Sequence, residues 1–245
     1  MASDTLGLKT LEHPDFVSYE PDVFDIVVIH GLYGSSHSSW TDVQWETELL
    51  SRYGTSRLST YSYDVLDTNG GVFSRVSARD EARKLLESLV KLRSPDLKGN
   101  AIVFIAHDFG GTLLKEVTIL SQNREYEDIY TSISWMVSFR PTRETIGQAL
   151  TCRQVFLGCP HRGLSKVELQ SACTEILMTH GRMSPAEIWN LTGPLAEWVL
   201  ETNDAFAETR LSISSRIRNI ISSCPDPRLR VCPVYMTTTD LAEQI

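Results

Sequence analysis

Seven consecutive residues, Ile105-Ala106-His107-Asp108-Phe109-Gly110-Gly111, limit what this chain can fold into more than any other feature. The run before them, Ala101-Ile102-Val103-Phe104-Ile105, is strand-sized and has no polar alternation, which predicts a parallel strand buried on both faces. After them Leu113, Leu114, Val117 and Leu120 recur at helical spacing. A strand, a sharp turn with small neighbours and a helix in direct succession push the turn side chain, Asp108, out over the helix N-terminus. The backbone N–H groups there can hold an anion.

The rest of the chain repeats the alternation. Asp25-Ile26-Val27-Val28-Ile29 reads as a second buried parallel strand and ends in His30-Gly31-Leu32-Tyr33-Gly34. Further strands are predicted over Arg57–Tyr63, Val155–Gly158 and Leu229–Met236. Ala78, Ala82, Leu85, Leu86 and Leu89, closed by Lys91 and Arg93, predict a helix. Ser165 with Glu168, and Ser184-Pro185 with Glu187, read as helix starts, and the helices up to Glu201 as a cap over the sheet edge. A last helix is expected from about Asn203 to Ile221 on the spacing of Phe206, Ile213, Ile217 and Ile220. Strands alternating with helices imply one α/β domain over residues 1–245, a mostly parallel sheet with helices on both faces.

Composition excludes several function classes. With 245 residues, 42% hydrophobic and 22% charged, the chain can bury one substantial core. A net charge of −8 argues against nucleic acid or an anionic membrane as partner. No apolar run approaches the ~18 residues of a transmembrane helix, and Met1 to Asp15 does not read as a secretory signal. Five cysteines without a C-x-x-C pair predict reduced thiols, no zinc site and an intracellular, cytoplasmic setting; no cofactor is expected. On the same ground Asn190-Leu191-Thr192 is a glycosylation sequon in form only.

The turn at Asp108 has the form of a nucleophile elbow, usually G-x-S-x-G. Ala106 stands for the first glycine, and Asp108 stands for the serine. On that plan Leu32 and Phe109 supply the oxyanion-hole N–H groups, and His30, Gly31 and Gly110 shape the site loop. With the Tyr63-Asp64-Val65 segment, Leu113-Leu114-Lys115, Phe156-Leu157-Gly158-Cys159-Pro160-His161-Arg162-Gly163 and Asn203-x-x-Phe206, the chain resembles a lipase-like α/β-hydrolase family. That family includes serine-active-site-containing lipid-remodelling proteins and the hydrolase-like N-terminal domains of fungal NOD-like receptors. GPI inositol deacylases are more distant.

The resemblance implies the α/β-hydrolase fold and a small-molecule or lipid ester substrate, with three departures. Asp108 replaces the serine. Only Asp240 lies near the position, at Met236, where the family places an acid. No histidine follows His180, so the family's final strand and histidine loop are missing from the sequence. Activity is therefore expected to be impaired or absent, or the chain to be a recognition or signalling module with a protein partner. A third reading makes Asp108 the nucleophile, as in hydrolases resembling those of epoxides and alkyl halides. There the helix N-terminus would keep it ionised and His161 would be the base. His161 also fits a structural turn. His107 reads as packed beneath the elbow, His180 as a solvated cap residue, and His13 and His37 carry no signal; among the cysteines Cys159 is the one near the site.

Val137 to Gln154 intervenes where the resemblance has a short connection, and is expected to be an exposed insertion with no strand of the main sheet. Its residues can also be encoded with the start, branch and end signals of a short intron. Removing it would join Met136 to Val155.

Overall fold

The computed structural model describes residues 6–11, 25–32, 56–64, 75–93, 101–134, 154–157, 159, 165–179, 184–209 and 217–220. Six strands form one sheet: β1 (Gly7–Leu11), β2 (Asp25–Ile29), β3 (Arg57–Ser62), β4 (Ile102–His107), β5 (Gln154–Leu157) and β6 (Ile217–Ile220). Their order is β1-β3-β2-β4-β5-β6. β1 runs antiparallel to β3, and all other neighbours are parallel.

Alternating side chains divide between two cores, as strand geometry requires. Val27 and Ile29 of β2 and Ile102, Phe104 and Ala106 of β4 enter the larger cluster. Ile26, Val28 and Val103 join Leu58 and Ala101 in a smaller one. Both sets are buried, so both faces of the sheet are covered. The described helices with core residues all contribute to the larger cluster.

Helix α1 (Arg75–Leu92) buries Ala78, Ala82, Leu85, Leu86 and Leu89 and carries Lys91 in its last turn, as the spacing predicts. Helix α2 (Gly110–Leu120) is buried on nearly every side, so hydrophobic residues and Thr112, Lys115 and Glu116 alike lie inside. Helix α3 (Glu127–Ser134) follows a short 3-10 turn. Helices α4 (Lys166–Thr179) and α5 (Pro185–Ala207) pack on each other. Ser165 and Glu168 exchange hydrogen bonds at the start of α4. Ser184 and Glu187 do the same before α5, with Pro185 in its first turn. Among the described residues no helix is long and apolar enough to cross a membrane.

Three sequence expectations need correction. β1 was not anticipated. Its five residues are only partly buried, and Lys9 in the middle is exposed, so the run is too short and too polar to announce itself. The expected helix from Asn203 to Ile221 stops at Ala207, and Ile217–Ile220 is strand β6 beside β5. Ile213, Ile217 and Ile220 imitate helical spacing, but the serines between 212 and 215 are weak helix formers and isoleucine suits a pleated surface. Finally, Gln154 is not loop: it opens β5 and pairs with Phe104 and Ile217. The rest of Val137–Gln154 lies outside the described residues, as does the strand expected at Leu229–Met236.

Candidate functional site

Sheet topology says where to look. β2 lies between β3 and β4: the chain passes from β2 outward to β3 and then back across β2 to β4, and the carboxyl ends of strands at such a switch of direction are where sheets of this kind place their sites. At those ends stand Ile29-His30-Gly31-Leu32 and His107-Asp108-Phe109.

Asp108 has φ of 50°, the one positive value at a non-glycine residue among the described residues. Aspartate tolerates this left-handed conformation better than most side chains. The chain turns sharply there, and the Gly111 N–H closes onto the Asp108 carbonyl at 3.0 Å as α2 begins. Two glycines permit the close approach. A Cβ on Gly31 would lie 2.6 Å from Asp108 Cβ and 2.8 Å from Oδ2. A Cβ on Gly110 would meet the His30 carbonyl oxygen and stand 2.9 Å from that of Ile29. Because those obstacles are backbone, Gly110→Ala is expected to cost about 2 kcal/mol, read as a lowered thermal midpoint. An unchanged midpoint would mean that α2 can slide away from β2.

The Asp108 side chain is 3% exposed. Its Oδ2 accepts a hydrogen bond from the Leu32 N–H at 3.1 Å, and its carboxylate accepts a second from the Phe109 N–H. These are the two donors expected to form an oxyanion hole, and the carboxylate of this chain is what they hold. Burial pushes the pKa up to about 6, outweighing the two N–H donors that pull it down. The helix N-terminus therefore does not hold the group in the usual carboxylate range, although most of it is ionised at neutral pH.

His30 is structural in its contacts. The Tyr63 backbone N–H donates to its Nε2 at 3.1 Å, which puts the proton on Nδ1, where it faces the Gly31 carbonyl at 2.8 Å. The Tyr63 hydroxyl donates to the His30 carbonyl at 2.8 Å, and the rings stack 4.2 Å apart. Tyr63 thus ties the end of β3 to the loop that follows β2. Burial and then the nearby Asp108 charge push its phenol pKa up.

Two further segments of the resemblance meet beneath the elbow. Lys115 of α2 is 1% exposed, and its Nζ donates to Asn203 Oδ1 of α5 at 2.6 Å. Burial lowers its pKa to about 8. The Cys159 thiol donates to the Ala106 carbonyl at 3.4 Å, which places it at the end of β4. Cys173 of α4, which nothing in the sequence marked, is buried close enough to Asp108 for its charge to add to burial in raising the thiol pKa. His107 ends β4, and burial lowers its pKa. His161, His180, His13 and His37 lie outside the described residues. No group of three or more histidine, cysteine or acidic side chains suited to a metal occurs among the described residues.

No protein-family profile matches the chain, and no curated protein matches it in sequence. Solved structures do. Mature lipase BlEst2 of Bacillus licheniformis shares 15% identity at a TM-score of 0.44, over 86% of this chain and 70% of that one. A structure from a study of carboxylesterases of Nitrososphaera gargenis shares 13% at 0.42, over 94% and 82%. A thermophilic esterase of Thermogutta terrifontis shares 12% at 0.40, over 81% and 71%. The parallel sheet with its switch point between β2 and β4, and the strand–elbow–helix at Asp108, are those of the α/β-hydrolase fold.

Proposed function

We propose that this chain is an α/β-hydrolase-fold protein of lipase and esterase type whose site recognises a small-molecule or lipid ester without acyl-transfer turnover. One observation carries the reading: the Asp108 carboxylate sits in the hydrogen bonds of Leu32 and Phe109. An ester carbonyl cannot use donors that are already satisfied. The oxyanion it would form is also repelled by the charge in its place. A carboxylate that did attack an acyl carbon would give an anhydride, and no described side chain stands ready to resolve it. Such a module can report ligand binding to a protein partner, as the resemblance to the N-terminal domains of fungal NOD-like receptors suggests.

The 245-residue chain is expected to leave short p-nitrophenyl esters uncleaved. Asp108→Ser should stay inactive too, because a serine without its base forfeits a factor on the order of 10⁶. Robust turnover by the serine variant would show that a base is present, with His161→Ala the first test of its identity.

The same geometry supports a second reading. One Asp108 oxygen is anchored by Leu32, so the carboxylate is oriented as a nucleophile toward an sp³ carbon. Attack on an epoxide would form a carbon–oxygen bond to Asp108 as the ring bond breaks, the alkoxide then taking a proton. Water would hydrolyse the alkyl ester, with the carbonyl oxygen polarised by the N–H pair. Turnover of an aryl epoxide that disappears in Asp108→Asn would establish this reading over the silent module.

A further inference from the structure

The Leu32 N–H that meets Asp108 belongs to the peptide unit joining Gly31 to Leu32, and that unit is held at both ends. Its N–H donates to Asp108 Oδ2 at 3.1 Å, and its oxygen, the Gly31 carbonyl, accepts from His30 Nδ1 at 2.8 Å. In a trans peptide the two groups point in opposite directions, so a grip on the oxygen also aims the N–H.

The unit needs that grip because of its own glycine. A Cβ on Gly31 would lie 2.6 Å from Asp108 Cβ, so the close approach admits glycine alone. Glycine also leaves the peptide plane free to turn, and a turned plane would face the carboxylate with a carbonyl oxygen instead of a donor.

His30 supplies the grip in one tautomer only. Its Nε2 accepts from the Tyr63 N–H at 3.1 Å, which leaves the ring proton for Nδ1. Strand register brings Tyr63 there: Ile29 of β2 pairs with Tyr61 of β3, and two residues on Tyr63 is level with Gly31. Tyr63 holds His30 twice more, by its hydroxyl on the His30 carbonyl at 2.8 Å and by stacking of the rings at 4.2 Å. Both side chains are buried, so water does not compete for these bonds.

We propose that His30 and Tyr63 are positioning residues: the Tyr63 N–H selects the His30 tautomer, and that tautomer aims the Leu32 N–H at the Asp108 carboxylate. Both readings of function use this donor, so the purpose of the device rests on them. Its operation is measured without substrate, and it can fail while the ester and epoxide assays still decide the function.

The Asp108 carboxyl carbon and the Leu32 amide proton are followed by NMR through a pH series on the intact chain, Asp108→Asn assigning the carboxyl signal. In the native chain the Leu32 amide proton should shift as Asp108 titrates. His30→Ala should raise the Asp108 pKa from about 6 to about 7 and uncouple the Leu32 amide from it, because the carboxylate loses a donor. His30→Asn, whose side-chain amide donates from the same carbon and needs no tautomer, should restore both. Tyr63→Phe keeps the ring and the backbone N–H and should shift the pKa in the same direction by less, a check that survives if His30→Ala does not fold. An Asp108 titration unmoved in every variant that folds, with only the thermal midpoint lowered, would show that the two residues merely pack and would overturn the proposal. A shift in His30→Ala that His30→Asn does not reverse would overturn it too.

Discussion

Replacing Asp25 by alanine should lower the unfolding free energy by about 3–5 kcal/mol, seen as a fall in the urea midpoint without a change of slope. Asp25 opens β2 at the amino edge of the sheet, opposite the candidate site, and is 2% exposed. Arg57 of β3 reaches its Oδ1 at 2.8 Å, and Arg93, just past α1, reaches Oδ2 at 2.9 Å. Both arginines are committed elsewhere too: Arg57 donates to the Leu92 carbonyl at 3.1 Å, and Arg93 to the Ser132 hydroxyl of α3 at 2.8 Å. One carboxylate thus pins two strands and two helices.

The pin is costly in itself. Burial raises the Asp25 pKa even against two guanidinium groups, and burial also lowers that of Arg93. Removing the carboxylate leaves Arg93, its side chain 2% exposed, without its ion-pair partner Asp25, and the weakened compensation of that buried cation is the source of the predicted loss. A loss under about 1 kcal/mol would show that water reaches both arginines once the carboxylate is gone.

Asp108→Asn is expected to act in the opposite direction and to depend on pH. The native pKa of about 6 stands above the ordinary 3.8 because burial disfavours the charge. A carboxyl with a raised folded-state pKa stabilises the fold when protonated. That contribution is complete below pH 3.8 and is lost as pH rises through 6. The difference of roughly two units corresponds to about 3 kcal/mol. The amide carries no charge at any pH and keeps an oxygen for the Leu32 N–H. Relative to the parent chain, the variant should therefore gain about 3 kcal/mol between pH 4 and pH 7, measured as the difference between two denaturation series. Parallel pH profiles would mean that Asp108 titrates in its ordinary range and is not held in a dry site. A gain in stability on removing this charge is what a residue kept for binding or chemistry would show.

Much of this was legible in the residues because it is local. The unbroken apolar runs at Ile26–Ile29 and Ala101–Ile105 cannot face water on either side, so parallel strands inside a covered sheet follow from composition and length. The spacing of Ala78, Ala82, Leu85, Leu86 and Leu89 fixed one helix face, and Ser184-Pro185 with Glu187 fixed the start of another. The elbow was readable for the same reason: a strand, small residues and a helix in succession allow little else at Asp108.

What the tertiary structure decided is non-local, and pattern carries no record of it. β1 and β6 take their identity from the strands they pair with. A five-residue edge strand with an exposed lysine and an isoleucine series at helical spacing have no decisive period of their own. That Lys115 meets Asn203, 88 positions away, or that His30 is locked between Gly31 and Tyr63, depends on packing across elements. The state of Asp108 belongs to this second group. Sequence put a carboxylate at the turn and two N–H donors in its neighbourhood. Only the approach of Gly31 to Asp108 and the packing around them placed that carboxylate in the donors and buried it enough to move its pKa to about 6. Desolvation is a property of everything packed around a group, and no stretch of sequence contains it.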